Sequence, residues 1–268
     1  MTISTYGVLF YPASGPDSSA EAVGFRFGAK GTHTSRTLMY EELSILLAAT
    51  KAEATRKDCA AAIIEMNCLA KPTAASRRLT NQRIGELFAL DPLLPIFRVF
   101  RRLWDIDPVG RPLLAIQCGI ARDPLLAATA ASVLALAPGA EFQRDSTTAA
   151  LRAVIGDRMN DSILAKVVRN AASSWTQSGH LEGRTFKKRR VVEATPCTVA
   201  FGLYLGHAVG FRGAELFSSG WMAVLDCSPP KGRNLALEAK RIGLLDLRVA
   251  GNVIELNLDR LDPVPARN

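Results

Sequence analysis

The sequence predicts a mainly α fold assembled from helix-turn-helix and winged-helix modules with short β-hairpin wings. Three observations predict it. Apolar residues recur at helical spacing over most of the chain. Asp-Pro and Pro-Pro pairs and isolated glycines cut that pattern into short segments. Two stretches with strand propensity, near 179–192 and 244–258, follow directly behind helical ones. The expected organisation is a flexible N-terminal arm over 1–33 and a helical domain with a helix-turn-helix over 34–140. A winged-helix-like module over 141–193 and a C-terminal helical, winged-helix-like module over 194–268 follow.

The arm is punctuated by Pro12, Gly15, Pro16, Gly24, Gly28 and Gly31, with a short strand expected near Val23 to Phe27. From Ser35 the pattern turns helical to about Thr50, with Leu38, Leu43, Leu46 and Leu47 on one side. A second helix is expected over Ala52 to Leu69, ended by Lys71-Pro72, because proline disfavours helical backbone in the residue before it. A third runs from about Ala74 to Leu90, where Asp91-Pro92 stops it. Its apolar side is Leu79, Ile84, Leu87 and Phe88, which leaves Ser76, Arg77, Thr80, Asn81 and Arg83 on the other. Arginines among short polar side chains suit phosphate contact and base-edge reading, so Arg77, Arg78 and Arg83 are candidate DNA contacts. A solvated helix face beside a helical hairpin explains the same residues.

Between Leu93 and Gly139, Asp107-Pro108 and Asp123-Pro124 set off short apolar helices, the aspartate as turn or cap and the proline as helix start. Arg98, Arg101 and Arg102 make a basic edge there, the usual sign of a solvated face. A helix from Asp145 or Ser146 to about Ile155 ends at Gly156-Asp157, and Asn160 or Asp161 opens the next, to about Ser178. Ile163, Val167, Ala171 and Trp175 repeat every four residues on one face of it. Lys166, Arg169, Asn170, Ser173 and Gln177 fall on another, the cleaner recognition-helix pattern in the chain. Behind it, Gly179 and Gly183 mark turns around Lys187, Lys188, Arg189 and Arg190, followed by β-prone Val191-Val192. A basic hairpin behind a recognition helix is the layout of a wing that rides the phosphate backbone or enters the minor groove. Elsewhere, four consecutive basic residues read as a solvated loop.

Further on, helices are expected at about 198–210, 214–217, 221–225 and 230–243, then a hairpin around Gly251-Asn252. Glu255, Asp259 and an apolar composition assign this last unit to packing or partner binding more than to DNA.

Across 268 residues, 33 Lys and Arg against 25 Asp and Glu leave a net charge of +8, which favours an anionic partner. Five widely spaced cysteines without a C-x-x-C pair suggest neither a zinc ribbon nor a disulfide framework. No secretory signal is visible, so the expected setting is the cytoplasm. Ala194 to Phe211 is uncharged and spaces Gly202, Gly206 and Gly210 four apart, as a membrane helix-dimerisation face would. Thr195, Pro196, Thr198 and His207 make it too polar for a span, and a core helix with close backbone packing is expected instead, with no membrane partner.

The runs Ser35-Arg-Thr-Leu38, Thr73-Ala-Ala-Ser-Arg-Arg-Leu-Thr80, Thr176-Gln-Ser-Gly-His-Leu181 and Gly243-Leu-Leu-Asp-Leu-Arg-Val-Ala-Gly-Asn-Val-Ile-Glu255 resemble the BrxA-like accessory proteins of bacteriophage-exclusion (BREX) systems. The likeness spans most of residues 35–258. It implies a small helical protein with winged-helix folds that binds DNA and supports anti-phage defence machinery. The extra middle helices and the N-terminal arm depart from that pattern.

No metalloprotease, nucleophile-elbow or phosphate-loop motif is present. The three histidines, His33, His180 and His207, fall in an arm, a wing and an apolar helix, and His207 reads as a satisfied core residue. Asp157 and Asp161 read as turn and cap residues. No catalytic residue, metal or cofactor is therefore expected. The leading expectation is a non-enzymatic protein that binds double-stranded DNA. A scaffold docking other defence or regulatory proteins is the alternative, and a membrane-associated helical protein is a third.

Overall fold

Capping side chains decide where many helices begin. The computed structural model describes residues 9–28, 30–250 and 253–263, and thirteen helices with two antiparallel two-stranded sheets make up its regular structure. A mainly α fold with β-hairpin wings is what the chain adopts.

The arm is the first correction. Residues 1–8 lie outside the described set, but from Leu9 onward the segment is packed into the core: Phe10, Ala20, Phe25, Thr32 and His33 are all buried. The Phe10 ring sits 4.8 Å from Trp221, whose Nε1 donates to the Phe10 carbonyl at 3.1 Å, and Gly220 N donates to the Leu9 carbonyl at 2.7 Å. The strand expected at Val23 to Phe27 is replaced by one helical turn, α1 (Ala20–Val23), closed by Gly24 at φ 118°. Turn residues made this stretch resemble a loose arm. Aromatic side chains between the turns hold it down instead.

The next three helices are α2 (Tyr40–Ala49), α3 (Arg56–Ile64) and α4 (Ala74–Phe88). The first two start later than expected. Residues 32–34 form a 3-10 turn and Met39 takes φ 55°, so α2 cannot start at Ser35, while the Thr55 and Asp58 capping box sets the start of α3. A second box, Thr73 with Ser76, starts α4. The α3 to α4 link covers 65–73, longer than a helix-turn-helix turn, with Asn67 bridging to the Lys71 amide and carbonyl at 2.8 and 3.1 Å. On α4 the inner face is rotated from the expected one, since Thr80 is buried and Leu79 lies outside.

The middle of the chain holds α5 (Pro95–Ile106), α6 (Arg111–Arg122) and α7 (Pro124–Leu134). Every residue of α6 from Leu113 to Arg122 is buried, which makes it the central helix. Asp123 caps α7 through the Leu125 and Leu126 amides at 2.9 and 3.2 Å, with Pro124 in the first turn as expected. The basic edge of α5 is not solvated. Arg98 grips Asp262 with two nitrogens, Arg101 is buried against the Thr50 carbonyl and Asp105, and Arg102 donates to the Leu261 carbonyl.

Then come α8 (Arg144–Ile155), α9 (Asp161–Gln177), β1 (Leu181–Glu182) and β2 (Lys188–Arg189). The last third holds α10 (Pro196–Ala208), α11 (Glu215–Ser218), α12 (Gly220–Ala223), α13 (Pro229–Arg241), β3 (Asp246–Ala250) and β4 (Val253–Asn257). The expected turn residues Gly251 and Asn252 lie outside the described set. A Cβ at Gly202 would stand 2.6 Å from Met222 and 2.8 Å from Gln117, so glycine lets α10 approach α6 and α12 closely. Among the described residues no helix is long and apolar enough to cross a membrane. One cluster of buried side chains, centred on Trp104, Trp175 and Trp221, runs from Phe10 to Leu261 through all four expected segments.

Candidate nucleic-acid interface

Between α7 and Val192 the chain order is helix, strand-like segment, two helices, strand, turn, strand. Residues 139–142 lie along β2: Gly139 N donates to the Arg189 carbonyl at 2.8 Å, Arg189 N to Ala140 at 2.9 Å and Phe142 N to Lys187 at 2.7 Å. On its other edge β2 pairs with β1, Leu181 facing Arg189 and Glu182 facing Lys188. The central strand is thus the last in sequence, and α8, a short link at 156–160 and α9 form a helix-turn-helix in front of it. That arrangement is a winged-helix module with its wing at 183–187.

Helix α9 is opened by Asn160, whose side chain accepts from Ile163 N at 2.9 Å. Leu164, Val167, Val168, Ala171, Ala172 and Trp175 face the core, and Trp175 Nε1 donates to Thr129 Oγ1 of α7 at 2.8 Å. Ile163, expected on that face, is exposed. Lys166 and Arg169 are exposed and Ser173 and Thr176 half-buried, at i, i+3, i+7 and i+10 along one helical stripe. At the end of the stripe Lys187 reaches over from the wing. Its Nζ donates to Thr176 Oγ1 at 2.8 Å and to the Gly183 carbonyl at 3.1 Å. Partial burial, and then the Arg144 guanidinium, pull this ammonium below the usual lysine range.

The remaining expected contacts divide. Asn170 points inward and donates to the His33 carbonyl at 2.8 Å; Gln177 accepts from Tyr40 N at 3.2 Å and donates to Thr37 Oγ1 at 3.1 Å. Both hold the 33–40 segment against α9 and are not free to read bases. Arg189 is buried and ion-paired with Asp226, which also accepts from Val192 N at 2.8 Å, so it anchors the hairpin. Lys188 and Arg190 are exposed, Arg190 with Glu182 3.5 Å away. On α4, Arg77 caps the end of α3 by donating to the Ile64 carbonyl at 2.9 Å, and Arg83 pairs with Glu86 at 2.8 Å; of the three, Arg78 alone is fully exposed. Arg184 and Phe186 at the wing tip were not among the expected contacts, and both are exposed.

Directly beneath α9 lies a serine, histidine and aspartate in hydrogen-bond sequence. His33 Nδ1 is 2.8 Å from Asp123 Oδ2 and Nε2 is 2.8 Å from Ser174 Oγ. Burial pushes the Asp123 carboxyl up, but the His33 charge, the His33 ring and amide hydrogen bonds and the Leu126 amide outweigh it and hold the carboxyl below its usual range. These are the distances of a hydrolase triad. All three residues are 0 % exposed, and Ser174 Oγ already accepts from Leu38 N at 2.8 Å. His33 also belongs to the segment that covers Ser174, so lifting the cover to admit a substrate would carry the base away. The cluster joins the 31–38 segment, α7 and α9 as a buried polar staple.

His180 is buried as well, between Ser178 Oγ at 2.8 Å and the Val224 carbonyl at 2.7 Å. His207, expected in the core, is half-buried in a groove of about 500 Å³ beside Tyr204, Arg212 and Asp262. Among the described residues no group of three or more His, Cys, Asp or Glu could hold a metal ion. No protein-family model matches the chain, and no curated protein matches it.

Proposed function

We propose that this chain is a non-catalytic protein that binds double-stranded DNA through the 124–192 winged helix. The observation that carries the reading is the stripe from Lys166 through Arg169 and Ser173 to Thr176, continued by Lys187 of the wing. Recognition helix and wing thereby offer one strip of positive charge and short polar groups. Lys and Arg outnumber Asp and Glu between residues 141 and 193. In this reading α9 enters the major groove with Lys166 and Arg169 on the flanking phosphates, while Arg184, Lys187, Lys188 and Arg190 line the phosphates from the wing. A cytoplasmic accessory role in anti-phage defence is part of the proposal and rests on the resemblance of the four sequence runs to BrxA-like proteins.

The test is fluorescence anisotropy of a labelled duplex over a salt series. The parent should bind at low salt with a steep dependence, and Lys166→Ala with Arg169→Ala should lower the slope of log affinity against log salt by about 2, about one per phosphate contact removed. Arg77→Ala with Arg83→Ala should leave the slope unchanged. No binding at low salt would overturn the reading and favour the scaffold alternative, which the exposed Leu237, Ile242 and Val249 of the C-terminal unit support.

A further inference from the structure

The turn that closes the wing presents a single aromatic ring to solvent. Phe186 is 70 % exposed, although every other phenylalanine described is buried or packed against the core. The turn that carries it is tight. Gly183 takes φ +101° and a Cβ there would stand 2.3 Å from the Phe186 carbonyl oxygen, so the chain doubles back as closely as glycine permits. Lys187 clamps the same turn by bonding the Gly183 carbonyl and Thr176 of α9. The backbone that carries the ring is thus tied to the recognition helix, with Arg184, Lys187 and Lys188 beside Phe186 in sequence.

A lone apolar side chain at the surface is ordinary. An aromatic ring on a braced turn among cations matches a narrower class of ligand, a polyanion with flat apolar groups inside it. We infer that Phe186 is a wedge that enters the minor groove of bound DNA and partly unstacks one base step, while the neighbouring cations hold the phosphates on either side. This rests on the DNA-binding reading and adds to it a mode of contact, a deformation of the duplex and a preference for easily opened pyrimidine-purine steps.

Two measurements on the full chain separate this inference from its foundation. In the anisotropy titration, Phe186→Ala should weaken binding roughly tenfold, the order of one aromatic contact with a base. It should leave the salt slope at the parent value, because no charge is removed. In the second, nicked plasmid is sealed by ligase with the protein bound, then stripped and resolved by topoisomer. A wedge that unstacks a step changes local twist, so the parent should shift the distribution, Phe186→Ala at equal occupancy should not, and Phe186→Trp should restore the shift. If the parent binds but shifts nothing, or if Phe186→Ala shifts as much as the parent, the wedge is overturned and DNA binding stands. If the parent does not bind the duplex at all, both fall together.

Discussion

Asp226 takes the Arg189 guanidinium on one carboxylate oxygen and the Val192 amide on the other, and so fastens the base of the wing to the C-terminal unit. Removing Arg189 leaves a mostly enclosed carboxylate without its cation, a change that costs about 3–5 kcal/mol where such pairs are buried. Arg189→Ala should therefore lower the denaturant midpoint sharply, and a double change of the exposed Lys188 and Arg190 is the better probe of the wing's surface charge. His180 makes a second prediction. Burial pushes this imidazole down to about 4, while in the unfolded chain it titrates near 6.5. Between those values the unfolded state binds the extra proton, so stability is fully present above pH 6.5 and is lost as pH falls towards 4, by about 3 kcal/mol. Thermal melts across that range should show the loss, and His180→Gln should flatten that part of the profile. A parent curve already flat from pH 6.5 to 4 would contradict the assignment.

At the scale of single elements, the caps are both the most legible feature and the easiest to test. Thr73 starts α4 with a reciprocal box and should cost about 1 kcal/mol as Thr73→Ala, read from the shift in denaturant midpoint. Helices α4, α9 and α13 could be read from sequence because threonine, asparagine or proline stands where each begins and the apolar spacing holds to the end. The two hairpins were legible from strand propensity behind a helix. The start of α2 was not, because the 32–39 stretch is fixed by Asp123 and Ser174, which lie far away in sequence, whereas the start of α3 is set locally by the Thr55 and Asp58 box. The same long reach explains the errors within the candidate interface. Asn170 and Gln177 look like readers of bases until the 33–40 segment is laid against them. Strand alternation would have separated Arg189, which faces the buried Leu181, from the exposed Lys188 beside it. Grouping them by charge alone hid that difference.

Over the whole molecule, the core joins the first described residues to the last. Phe10 and Phe25 both pack on Trp221, Arg26 N donates to the Ala121 carbonyl at 3.1 Å, and Leu261 is buried at the other end of the same cluster. Phe10→Ala should consequently destabilise the entire fold, by about 3–5 kcal/mol, in one cooperative transition. Separate melting of the winged helix would argue against a shared core. That continuity bears on how the protein would choose a DNA site. Helix α9 has little slack: Trp175 is bolted to α7, the 33–40 stretch braces one flank, and Lys187 ties its last turn to the wing. A probe this rigid gains no discrimination by moulding itself to the bases. In the proposed complex, selectivity would come from base edges that match its fixed side chains and from sequences that bend and open most cheaply against an unyielding shape.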